Sequence, residues 1–148
     1  MKKLIALIFI CLWTTVLWAS GKIKLNVKTG LWQTTTTNTF SGTPRTVTYK
    51  TCLTPEKLAE DPFTDRSHGD NAKCEETLIK STATDLELRE VCSYGNSKTD
   101  VHLSFRADTP EHVTGSGATT ATADGRTRNS TMKMDSKWIS ASCQGNKK

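Results

Sequence analysis

The stretch CEETLIKSTATDLELREVC, bounded by Cys74 and Cys92, is the part of the chain with the least freedom. With a turn centred on Ala83, Leu78 faces Leu88, Lys80 faces Leu86, and Cys74 falls directly opposite Cys92. Directly opposed residues of an antiparallel pair have Cβ atoms about 4.5–5.5 Å apart, close to disulfide reach. Side chains alternate along a strand, so Cys74, Leu78, Leu86, Leu88 and Cys92 share one face, and Glu75, Thr77, Glu87 and Arg89 share the other. A hairpin with an apolar inner face and a disulfide across its open end is therefore expected.

The chain opens MKKLIALIFICLWTTVLWASG, in which Lys2 and Lys3 precede an apolar run from Leu4 to Leu17 and then small residues. This pattern reads as a secretory signal over residues 1–21, cleaved after Gly21, with the bond after Ala19 as the rival. The run falls short of the ~20 residues that span a bilayer, so no stable membrane anchor is expected once the signal is gone. Cys11 leaves with it. A single disulfide-stapled β domain over residues 22–148 remains, in the periplasm or secreted.

Loss of Lys2 and Lys3 lowers the formal charge from +5 to +3. The cations are scattered, with only Arg126/Arg128 and Lys147–Lys148 close together, so a nucleic-acid partner is not expected. Large apolar residues fill only about a fifth of residues 22–148, a thin supply for a core. Of the 5 cysteines, Cys52, Cys74, Cys92 and Cys143 lie beyond the signal. An even set in a small exported domain implies disulfides. The hairpin register selects Cys74–Cys92, and elimination leaves Cys52–Cys143. No pair has CxxC spacing and the histidines lie elsewhere, so neither metal nor cofactor is expected.

Ile23, Leu25 and Val27 alternate as a short first strand. A threonine-rich strand follows from Leu31 to Phe40, then a turn at Ser41-Gly42-Thr43-Pro44 and a return strand RTVTYKTC. There Val47, Tyr49 and Thr51 lie on one face and Thr46, Thr48, Lys50 and Cys52 on the other, and the inward face stays open. Thr54-Pro55-Glu56 starts a short helix ending near Glu60, with a cap, a first-turn proline and an acid at the positive end. After the hairpin, DVHLSFRAD points Val101, Leu103, Phe105 and Ala107 inward. The glycine-containing segment from Glu111 to Ala123 is expected to bend or lie at an edge. Asp124-Gly125 is a hairpin turn, and Thr131–Met134 and Lys137–Ile139 are the last two strands. The fold class is all-β: an antiparallel meander of about eight strands, curved or a partly open barrel, with one short helix.

Gly30-Leu31-Trp32, Cys52-Leu53-Thr54-Pro55-Glu56, the Cys74-to-Cys92 spacing and the closing Cys143 together resemble a family of small exported bacterial proteins, the domain-of-unknown-function family 3617. The pentapeptide is the most specific of these. The resemblance covers nearly all of the chain after the signal, and it implies export, one domain and disulfides. It implies no activity. The family usually has a methionine-rich stretch near the C-terminus, where this chain has only Met132 and Met134.

No catalytic residue is assigned. Ser116 in TGSGAT lacks the strand-turn-helix setting of a nucleophile elbow. Asp61, Asp65, His68 and Asp70 share a loop without the spacing of a calcium site, and His102 and His112 read as solvent-facing. Thr34/Thr36, Thr46/Thr48 and Thr120/Thr122 recur as i, i+2 pairs, a pattern that sheet propensity explains. The function expected is a non-enzymatic binding or envelope-accessory protein for an apolar or amphipathic ligand, held against Leu86, Leu88, Val101, Leu103 and Phe105 beneath the helix. An enzyme of unrecognised type and a purely structural module are the alternatives.

Overall fold

The computed structural model describes residues 23–60 and 71–143. The expected signal and the Asp61, Asp65, His68 and Asp70 cluster lie outside them. Seven antiparallel strands form one curved, unclosed sheet: β1 (Gly30–Phe40), β2 (Thr43–Leu53), β3 (Lys73–Ser81), β4 (Asp85–Tyr94), β5 (Ser97–Thr109), β6 (His112–Ala123) and β7 (Arg126–Ser140). Helix α1 (Pro55–Glu60) follows β2. The spatial order is β2-β1-β7-β6-β5-β4-β3. β3 to β7 form the expected meander, and the β1–β2 hairpin docks beside β7.

Three expectations change. Ile23–Thr29 is extended but belongs to no strand: Asn26 N–H goes to the Ala83 carbonyl and Lys28 N–H to the Pro110 carbonyl, each at 2.8 Å. Its alternation serves burial alone, with Leu25 and Val27 4% and 8% exposed. The two strands expected at the C-terminus are one, β7. Finally β6, expected to bend or lie at an edge, is an interior strand between β5 and β7. Its glycines leave room for the neighbouring strand's side chains, because a Cβ at Gly115 or Gly117 would come within 2.7 Å of Phe105 or Leu103 respectively.

The central hairpin keeps its register at the cysteine end, where Cys74 pairs with Cys92 and Leu78 with Leu88. A bulge between Leu78 and Lys80 then shifts it, so Lys80 faces Glu87 rather than Leu86, and Ser81 faces Leu86. An extra residue in one strand swaps the faces of those that follow. Here it places the Lys80 ammonium 3.4 Å from Asp85 and lets the Ser81 hydroxyl accept Lys24 N–H at 2.9 Å.

Registers across the sheet put Tyr49, Thr34, Ser136 and Val113 in one row of the inner face, and Val47, Thr36, Met134, Gly115, Phe105 and Leu86 in the next. The row after that runs Arg45, Asn38, Met132, Gly117, Leu103 and Leu88. Trp32, Leu53, Leu86, Leu88, Phe105, Val113 and Met134 are buried together with Leu25 and Val27, and Leu58 of α1 packs against them. This end of the sheet, near the β3–β4 and β5–β6 turns, is closed. Trp32 and Trp138 fasten the closing segment by donating their indole N–H groups to the Lys28 and Thr29 carbonyls at 2.9 and 3.0 Å. Lys28 stacks over Trp138 at 4.7 Å and pairs with Glu111.

Threonine serves both faces. Thr34 and Thr36 are buried, and the Thr34 hydroxyl shares a 2.7 Å hydrogen bond with fully buried Ser136. On the outer face the Thr35–Thr48 and Thr37–Thr46 hydroxyls pair across strands at 3.0 and 2.9 Å. The i, i+2 pairs therefore do not make one regular array.

Candidate functional site

Residues expected to face a ligand divide between two environments. Leu86, Leu88 and Phe105 are 1–2% exposed and Leu103 is 9% exposed, all inside the closed core. Val101 is half-buried, one row nearer the opposite end, where it pairs with Thr119 and Glu90. Phe105 and Leu103 lie over the β6 glycines, so the space those glycines leave is filled.

The open part of the inner face takes in the other end, by the β1–β2, β4–β5 and β6–β7 turns, where Phe40 and Tyr94 lie, and the β2 edge, where Val47 and Tyr49 share rows with Met134 and Ser136. Phe40 is 56% exposed, Val47 54%, Tyr49 43% and Tyr94 59%. Register puts each of them on the same face as the core: Thr36 opposes Val47, Thr34 opposes Tyr49, Phe40 opposes Ser130, and Tyr94 follows Cys92 by two residues. The inward face of β2, open from sequence, is thus the Val47–Tyr49 face, while Cys52 points the other way. β2 can expose these residues because it is an edge strand with no neighbour beyond it. A cavity of about 580 Å³ lies at this end, lined by Ala121, Ala123, Asp124, Arg126 and Arg128, within the roughly 300–1,000 Å³ of ordinary small-molecule clefts.

The outer face is occupied differently. A chain of ion pairs crosses it: Lys80 to Asp85 (3.4 Å), Asp85 to Arg106 (3.8 Å), Arg106 to Asp108 (3.4 Å), Asp108 to His112 (3.5 Å) and His112 to Asp135 (2.9 Å). Arg89 holds Asp100 with two bonds of 3.0 and 2.6 Å, and His102 meets Glu87 at 2.8 Å. The Arg89 bond holds the Asp100 carboxyl below its ordinary value, the His112 bond does so for Asp135, and the Thr84 hydroxyl does so for Asp85. These pairs are solvent-exposed, so each adds little stability. Both histidines face solvent as expected, engaged by carboxylates. Ser116 sits within β6 opposite Ser104 and Lys133, in extended strand rather than at an elbow.

Cys52 and Cys143 stand at disulfide distance with Cα atoms 5.4 Å apart, as do Cys74 and Cys92 at 4.0 Å. Among the described residues the group of three side chains able to hold a metal ion is Cys74, Glu90 and Cys92, and two of those sulfurs are committed to each other.

The positions that carry the family resemblance are structural. Gly30 has φ +127° and lies against the Ser140 carbonyl, where a Cβ has no room. Trp32 and Leu53 are each 2% exposed, and Cys52 pairs with Cys143. The Thr54 hydroxyl accepts Lys57 N–H at 3.3 Å as an N-cap, and a hydrogen bond from the Thr54 side chain to the Glu56 carboxylate, with one from Glu56's own backbone N–H, lowers the Glu56 pKa. A family profile described as "Protein of unknown function (DUF3617)" matches residues 27–143. The chain belongs to this family. The DUF3617 match begins at Val27 in the closing segment and ends at Cys143, so it takes in every strand and both cysteine pairs. No curated protein and no solved structure matches the chain. The arginine-flanked cavity and the exposed aromatic residues are what sequence reading missed. Its available signal was the inward register of Arg126 and Arg128, two residues apart just after a hairpin turn.

Proposed function

We propose that this DUF3617 protein is an exported, non-enzymatic binding or envelope-accessory protein that holds an apolar or amphipathic ligand on the open end of its inner face. The observation that carries this reading is a cavity of about 580 Å³ by the β6–β7 turn of the inner face, with Phe40 exposed one register row beyond its Arg128 lining. The core-facing leucines and Phe105 serve as the rigid floor, and the ligand sits beyond them.

Export rests on the N-terminal pattern of residues 1–21, and two cysteine pairs at disulfide distance fit an oxidising compartment such as the periplasm or the extracellular space. Among the described residues no helix is long and apolar enough to cross a membrane. Intact-mass analysis of exported material tests the first point, with cleavage after Gly21 expected. The binding reading is tested by titrating the mature protein with an environment-sensitive apolar fluorophore and with lipid extract from the host envelope. Saturable binding to both is expected, and binding no greater than to a control protein would refute it.

A further inference from the structure

The described arginines separate by face. Arg89 and Arg106, on the outer face, are engaged by Asp100, Asp85 and Asp108. Arg45, opposite Asn38, and Arg126 and Arg128, opposite Ala123 and Ala121, point to the inner face. Among the described residues none of these three makes an ion pair or a side-chain hydrogen bond. Arg126 and Arg128 line the cavity, where the facing residues, Ala121 and Ala123, are small enough to leave the space open. Asp124, in the turn, also lines it, so the lining has two guanidinium groups against one carboxylate.

An anion entering the trough is drawn to β7, where Arg126 and Arg128 stand. The apolar surface is placed to suit a tail: Ser130 is the next inward position after Arg128 on β7, and its partner is Phe40.

Building on the ligand-binding reading above, we infer that the ligand is a single-chain amphiphile with a carboxylate head, the head gripped by Arg126 and Arg128 and the chain laid past Ser130 over Phe40 towards the β2 edge. Guanidinium groups match carboxylates with paired hydrogen bonds, which a lysine could not reproduce.

The test uses the mature, oxidised protein with three twelve-carbon probes: dodecanoate, the uncharged dodecyl maltoside, and a dodecanoyl lysophosphatidate. Calorimetric titrations compare wild type, R126Q/R128Q, and K133Q as an outer-face control. Dodecanoate is expected to bind wild type and K133Q about tenfold or more tightly than it binds R126Q/R128Q, while dodecyl maltoside binds all three alike. Rising salt should weaken the dodecanoate interaction and leave that of dodecyl maltoside unchanged. Equal dodecanoate affinity in wild type and R126Q/R128Q would overturn the arginine grip while leaving apolar binding intact. A preference for lysophosphatidate would overturn the carboxylate assignment. Failure of all three probes, or a self-associated dimer that excludes them, would remove the ligand-binding reading itself.

Discussion

Alanine at Gly115 separates a packed floor from a loosely filled one. A Cβ built there lies 2.7 Å from Phe105 Cδ1, 3.0 Å from Cε1 and 3.3 Å from Met134 Cε. Carbon atoms prefer about 3.5–4.0 Å, so the ring would have to retreat by roughly 0.8 Å. It is 2% exposed, and its strand partner Leu86 is 1% exposed, so there is nowhere for it to go without disturbing the core. Overpacking of this kind costs about 1–3 kcal/mol, against a gain of about 0.4–1 kcal/mol from restricting the unfolded chain. We expect Gly115→Ala to lose about 1–2 kcal/mol, lowering the urea midpoint by about 0.5–1 M at unchanged slope. Gly117→Ala meets only a terminal Leu103 methyl at 2.7 Å, with its other contacts at 3.4 Å, and Leu103 lies at the boundary of the open end. Its stability should stay within about 0.5 kcal/mol of wild type. Urea unfolding followed by tryptophan fluorescence with disulfides intact measures both. Gly115→Ala as stable as wild type, or less costly than Gly117→Ala, would refute the claim that this face is filled.

Replacing Cys52 and Cys143, 91 residues apart, should cost more stability than replacing Cys74 and Cys92, 18 apart. The loop-entropy relation gives about 4.6 against 3.2 kcal/mol, which chemical denaturation of the two double variants checks. Thr34→Val strands the buried Ser136 hydroxyl and should lose about 1–3 kcal/mol, and adding Ser136→Ala should recover part of it. Asp85, Asp100 and Asp135 have native pKa values below their ordinary ones. Their stabilisation is thus complete above about pH 5 and lost as pH falls through 4 and below. The thermal midpoint should drop over that window, and less steeply in Asp100→Asn; a midpoint that rises on acidification would contradict this.

The parts of the fold legible in the sequence are those set by local geometry. Cys74 and Cys92 fixed their own register, Thr54-Pro55-Glu56 marked the helix start, and the alternation of Val101, Leu103, Phe105 and Ala107 placed β5. Alternation reports burial but not backbone partners, which is why Ile23–Val27 read as a strand when its N–H groups in fact go to the Ser81 hydroxyl, the Ala83 carbonyl and the segment's own Leu25 carbonyl. Glycine in β6 suggested an edge, whereas Gly115 and Gly117 accommodate side chains from β5, a contact between strands that one strand's composition does not reveal. The docking of β1 against β7 joins the two ends of the sequence, and nothing local encodes it. That Leu86, Leu88 and Phe105, expected to face a ligand, are buried was not legible for a related reason. Apolar residues mark the inner face, but which of them are covered depends on where the N-terminal segment and α1 close the end.

The central claim is that the inner face has a closed, packed end and an open, ligand-receiving end. Amide chemical-shift mapping of the mature, isotope-labelled protein titrated with dodecanoate tests it residue by residue. The account predicts saturable shifts at Phe40, Ala121, Arg128 and Ser130, with Leu86, Leu88 and Val113 unmoved. Shifts centred on Leu86 and Leu88, or none anywhere on the inner face, would contradict it.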